Sequence, residues 1–118
     1  MINKKKFCFD IDGVVCRTIN NNYKKSKPFK NSVALINELY AKGHIIIIFT
    51  ARYMGRNNDN TKLAKKQGYA LTKKQLKIWN VKYHKLIFGK PSFDLIIDDK
   101  AFGFSKSWVK KLKSKING

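Results

Sequence analysis

Two aspartates, Asp10 and Asp12, end a short apolar run and stand directly before Gly13 in the stretch KFCFDIDGVV. Like charges this close repel, and each carboxylate is better hydrated than held at the edge of a core. A polar turn after a buried strand accounts for many Asp-Gly pairs. The other compensation is a metal cation or a reaction that needs both groups. Three more apolar runs end in polar residues: HIIIIF in Thr50, KLIFG in Lys90, and FDLII in Asp98 and Asp99. Four carboxylates in one crevice require a cation, and hard oxygen ligands suit Mg²⁺, which pairs one or two carboxylates with a substrate phosphate. Lys90 adds a fixed positive charge, and Thr50 adds a hydroxyl beside backbone N–H groups. The set suits phosphoryl transfer, where catalysis is mostly positioning and neutralisation of the phosphoryl oxygens. One carboxylate can attack phosphorus to give an aspartyl phosphate. A second, two residues on, can protonate the leaving oxygen and then activate water.

Such residues meet only if their elements end at a common edge. Residues 6–11 read as a buried strand, and HIIIIFT, with its continuous apolar core, as a strand covered on both faces. KYHKLIFGK and FDLIIDD are the third and fourth strand candidates. Between the first two, residues 16–28 read as a polar loop. NSVALINELYAKG follows with helical spacing at Val33, Ile36, Leu39 and Tyr40 and stops at Gly43. Thr61 to Gln67 suits a short helix, and Thr72 with Gln75 forms a capping-box pattern that opens a helix over TKKQLKIWNV. The tail reads as a basic amphipathic end pinned by Trp108, Val109 and Leu112. Strands alternating with helices predict an α/β fold with a parallel sheet. In such a sheet the ligand crevice lies beyond the carboxyl ends of the strands, where all four polar endings would fall.

The 118 residues suit one domain, residues 1–118, and the 43% hydrophobic content argues for a globular chain. No apolar stretch approaches the ~20 residues of a membrane span. The apolar run after the basic start is cut by Asp10 and Asp12, which does not read as a signal peptide. Cys8, read as a small buried hydrophobe, and Cys16 are too few for a disulfide framework, which fits a reduced, cytoplasmic setting. The net charge of +19 suits a polyanionic partner, nucleic acid above all. Only Arg17, Arg52 and Arg56 are arginines, however, and the scattered lysines among many Asn and Ile read in part as compositional bias.

The segments DIDGVV, IIIFTAR, GKP and DLIIDDKA resemble, in order and spacing, the four motifs of the haloacid dehalogenase-like phosphohydrolases, from Lys6 to about Ala101. The resemblance implies a Rossmann-like three-layer fold with a mainly parallel sheet, and a Mg²⁺-dependent phosphatase working through an aspartyl phosphate. It implies Asp10 as nucleophile and Asp12 as general acid/base. Thr50 and Lys90 would hold the phosphoryl group, and Asp98 and Asp99 would complete a metal set with Asp10 and Asp12. No cap domain fits in residues 13–30 or 51–89, so the cleft is expected to be open. Similar small capless proteins are associated with surface-polysaccharide sugar metabolism and can be oligomeric.

Ala51, Arg52 and Arg56, directly after Thr50, are substrate-binding candidates, with Tyr53 and Asn57 beside them. Arg17, Tyr23 and Lys24 flank the same mouth, while His44, His84, Trp79 and Trp108 read as structural. The leading expectation is a phosphatase for a small phosphorylated metabolite such as a sugar phosphate. The competing ones are a nucleic-acid 3′-end phosphatase, favoured by the charge and the missing cap, and a catalytically silent binding module. No membrane partner is expected, and a homo-oligomer is allowed.

Overall fold

A run of β-branched residues is stable as a strand only where neighbours pair with it and cover it. In the computed structural model, which describes residues 3–117, HIIIIFT supplies the central strand of a three-stranded parallel sheet. The sheet consists of β1 (Lys6–Phe9), β4 (Ile45–Thr50) and β5 (Lys85–Phe88) in the order β1-β4-β5. Phe9 lies opposite Ile48, and Thr50 opposite Phe88, so the three strands end at one edge. Between β1 and β4 come a two-stranded hairpin, β2 (Cys16–Arg17) with β3 (Lys27–Pro28), and helix α1 (Lys30–Ala41). Helix α2 (Thr61–Ile78) joins β4 to β5, and α3 (Trp108–Asn117) ends the described chain.

Both crossovers step in the same direction across the sheet. Right-handed connections then place α1 and α2 on one face. That face is the core: Phe9, Ile46 and Ile48 pack with Leu35, Ile36 and Leu39 of α1 and with Leu76 of α2. Trp108, Val109 and Leu112 bring α3 onto the same cluster, with the Trp108 and Phe9 ring centroids 6.2 Å apart. A smaller cluster of Met54, Ala64 and Phe88 fills the space under the loop after β4. Residues 10–29 carry only the hairpin and a 3₁₀ turn at Tyr23–Lys25, with no inserted domain.

Three expectations need correction. FDLIIDD is not a strand: residues 91–104 run without regular structure, and every one of them is exposed. An apolar run of this length forms a strand only if a sheet edge receives it, and in the single chain neither β1 nor β5 does. Among the described residues, the sheet is also covered on one face rather than two. Ile47 and Phe49, on the face opposite Ile48, join neither core cluster, and Cys8 on that face is exposed rather than buried. Finally, no helix begins at Thr72. Helix α2 is continuous from Thr61, capped by Asn60, whose side-chain oxygen accepts the Leu63 N–H at 3.1 Å.

Candidate active site

The carboxyl edge of the sheet is built by three strand ends. Asp10 follows β1, Thr50 closes β4, and Lys90 follows β5 after Gly89. The Lys90 backbone N–H donates to the Thr50 carbonyl at 3.2 Å, which carries the β4–β5 pairing one step past the strand. From there the Lys90 side chain reaches over the end of the central strand and places Nζ 3.2 Å from Asp10 Oδ2. The other carboxylate oxygen, Oδ1, accepts the Ile11 N–H at 2.9 Å. The Asp10 side chain stays one-third exposed (33%). Burial pushes its carboxyl above the ordinary aspartate range, and the Lys90 ammonium pulls it part of the way back.

Asp12, two residues on, has a different fate. The chain turns tightly here, with Gly13 at φ +88°, and the Asp12 carboxylate points to Arg52. Arg52 Nη2 donates to Oδ1 at 3.0 Å, while Nε donates to Oδ1 at 3.2 Å and to Oδ2 at 3.1 Å. The Thr18 hydroxyl also donates to Oδ1. Oδ2 therefore carries the single contact from Nε, and Oδ1 is saturated.

Arg52 is only 1% exposed, so its expected role as a substrate ligand needs correction. Its guanidinium is fully engaged inside the fold. Nη1 donates to Thr72 Oγ1 at 3.2 Å and to Gln75 Oε1, and Nη2 also reaches Ser26 Oγ at 3.3 Å. The Tyr23 ring covers it at 4.9 Å. The Thr72 and Gln75 pair thus serves as a polar receptor in mid-helix rather than as a cap. A legible signal existed: Ala64, Gly68, Thr72 and Leu76 recur every four residues, and a polar residue in that small and apolar row faces inward.

Thr50 is fully buried, and its hydroxyl accepts the Arg52 N–H at 3.1 Å. In this arrangement it shapes the turn after β4 rather than facing a phosphate. Ala51 is half-buried against the small cluster at Met54. Arg56 is exposed, lies 4.5 Å above the Tyr53 ring and donates to the Asn21 carbonyl at 3.3 Å. Tyr53 itself packs on Tyr23 with ring centroids 4.9 Å apart. It also lies across α2 at Gly68, where a Cβ would come within 2.3 Å of the ring. Arg17, Lys25 and Lys27 line a basic cavity of about 520 Å³ in the hairpin, separate from Asp10 and Lys90.

The structure does not gather the expected metal ligands. Among the described residues no group of three or more Asp, Glu, His or Cys side chains is placed to hold an ion. Asp98 and Asp99 lie on the exposed 91–104 segment, where Asp98 Oδ1 accepts the Lys100 N–H. Asp12 is committed to Arg52, and Asp10 to Lys90. Among the described residues, the four expected carboxylates are therefore not gathered into one cluster. His44 and His84 are structural: their Nδ1 atoms accept the N–H groups of Lys5 and Ile46.

No family model and no curated protein sequence matches the chain. A crystal structure of a structural-genomics target from Vibrio cholerae superposes with a TM-score of 0.78 at 23% identity, covering 94% of this chain and 98% of that one. At this identity the likeness speaks for the fold: a small α/β domain with a parallel sheet and helices, shared over nearly the full length of both chains.

Proposed function

We propose that the chain is a phosphomonoester hydrolase of the haloacid dehalogenase-like kind, with Asp10 as the nucleophile. The observation that carries this reading is the Asp10–Lys90 pair, a part-exposed carboxylate held against an ammonium at the carboxyl edge of a parallel sheet. Crevices at that edge are where ligands bind in open α/β sheets. An ammonium already seated beside the attacking oxygen can neutralise phosphoryl oxygens as charge builds on them.

In this reading an Asp10 oxygen forms a bond to phosphorus as the bond to the leaving oxygen breaks. The leaving oxygen takes a proton from Asp12 through Oδ2, the oxygen that Arg52 contacts only once. Water then attacks the aspartyl phosphate, gives its proton to Asp12, and releases phosphate and free Asp10. Arg52 orients Asp12 throughout, and Thr50 fixes the turn that carries Arg52. No step is assigned to Mg²⁺, because the four expected carboxylates are not gathered in one cluster among the described residues.

The test is phosphate release from a panel of sugar phosphates and a 3′-phosphorylated oligonucleotide, with and without Mg²⁺, at low and moderate salt. Turnover that Asp10→Asn abolishes supports the reading, and full activity in that variant overturns the nucleophile assignment. Preference for sugar phosphates with little salt effect makes this a small-metabolite phosphatase. Preference for the oligonucleotide, fading as salt rises, makes the lysines part of the site.

A further inference from the structure

Among the described residues, two apolar surfaces lack a partner, and they are complementary. The first is the sheet face opposite the helices, where Cys8 is exposed, Ile47 and Phe49 stay outside both core clusters, and Ile87 is 41% exposed. Strands of a parallel sheet are normally covered on both faces. The second is the arm of residues 91–104, with Leu95 at 77%, Ile97 at 87% and Phe104 at 65% exposure. Exposed apolar side chains gathered on this scale mark an interaction site rather than ordinary surface.

Charge identifies the occupant. The arm holds Asp94, Asp98 and Asp99 against Lys100 alone, so three of the chain's seven acidic residues sit on its most exposed segment. The open face is flanked by Lys6 and Lys85, both exposed and on the Cys8 side of the sheet. A chain with net charge +19 repels its own copies except through an acidic element. We propose that a second copy of this chain covers the open face, with the two 91–104 arms exchanged about a two-fold axis. Each arm lays Leu95, Ile96 and Ile97 on its partner's sheet and sets its carboxylates against the flanking lysines. The exchange is isologous, so it closes at a dimer. A stable interface buries ~800 Å² per partner, and Leu95, Ile97 and Phe104 of the arm, with Ile87 on the face, offer exposed apolar surface toward it.

This assignment is independent of the proposed chemistry, and its test reads mass rather than turnover. Sedimentation velocity of the full chain over a wide concentration range should show a dimer. Leu95→Asp with Ile97→Asp should sediment as a monomer with an unchanged circular dichroism spectrum, since both side chains are exposed in the single chain. Ile87→Asp, on the face, should also be monomeric. Mixing the two variants should restore a heterodimer, because one arm and one face remain intact and meet. A monomeric wild type, a dimer that survives the arm substitutions, or a mixture that fails to associate would each overturn the exchange.

Discussion

Asp10 and Asp12 are two residues apart, and the fold uses them in opposite ways. Asp12 is locked to a buried guanidinium that also holds Thr72, Gln75 and Ser26, so it ties the first loop, the hairpin and α2 into one node. Asp10 meets the Lys90 ammonium and the Ile11 N–H at the carboxyl edge of the sheet. The first arrangement fixes the orientation of Asp12, keeps Oδ2 for proton transfer and supplies much of the local order. The second costs stability, because burial raises the carboxyl's proton affinity, and leaves the side chain one-third exposed. Groups kept out of their ordinary ionisation range in a cleft are where function concentrates.

If that contrast holds, the largest effect on stability comes from Arg52→Ala. It strands the Asp12 carboxylate and the side chains of Thr72 and Gln75, and breaking such a pair costs about 3–5 kcal/mol. Thermal denaturation should show the drop, and adding Asp12→Ala should recover part of it. Equal losses in the single and double variants would mean that the node is not held by its charges. Leu76→Ala, which empties a fully buried position beside that node, should cost about 2–5 kcal/mol in urea unfolding.

Gly68→Ala is expected to cost less, about 1–3 kcal/mol, because the Tyr53 ring must move off α2 to admit the methyl group. Near-ultraviolet circular dichroism should register the displaced ring, and an unchanged spectrum with unchanged stability would remove Tyr53 from its place over the helix.

The smallest effect has the opposite sign. A carboxyl whose folded pKa is raised binds its proton more tightly in the folded state, so it supports folding below the ordinary aspartate range. That support is lost as pH rises through the raised value. Asp10→Asn should therefore melt at or above the wild-type temperature at neutral pH, and the gap should close on acidification. A variant less stable than wild type at neutral pH would show that the Lys90 pair outweighs the burial.

The parts legible in the sequence were those set by local pattern. The continuous apolar run 45–49, the helical spacing of Ile36 and Leu39, and the pinning role of Trp108 all describe single elements against a core. The strand endings pointed to Asp10, Thr50 and Lys90 as neighbours for the same reason, since parallel strands share a carboxyl edge. What the pattern missed depends on partners far along the chain. Arg52 beside Thr50 reads as a surface ligand until Thr72 and Gln75, a full helix later, are seen to enclose it. FDLIIDD has the composition of a strand, yet composition does not supply the edge that a strand needs. The number of covered sheet faces is likewise decided by tertiary contacts.

The central claim is that Asp10 carries the phosphoryl group. Its most direct test is to mix the protein with the best substrate of the panel, quench in acid and weigh the intact chain and its N-terminal peptides by mass spectrometry. The account predicts the added mass of one phosphoryl group on the peptide containing Asp10, absent in Asp10→Asn and removed by hydroxylamine. Turnover with no such adduct in the wild type, or an adduct that persists in Asp10→Asn, would contradict it.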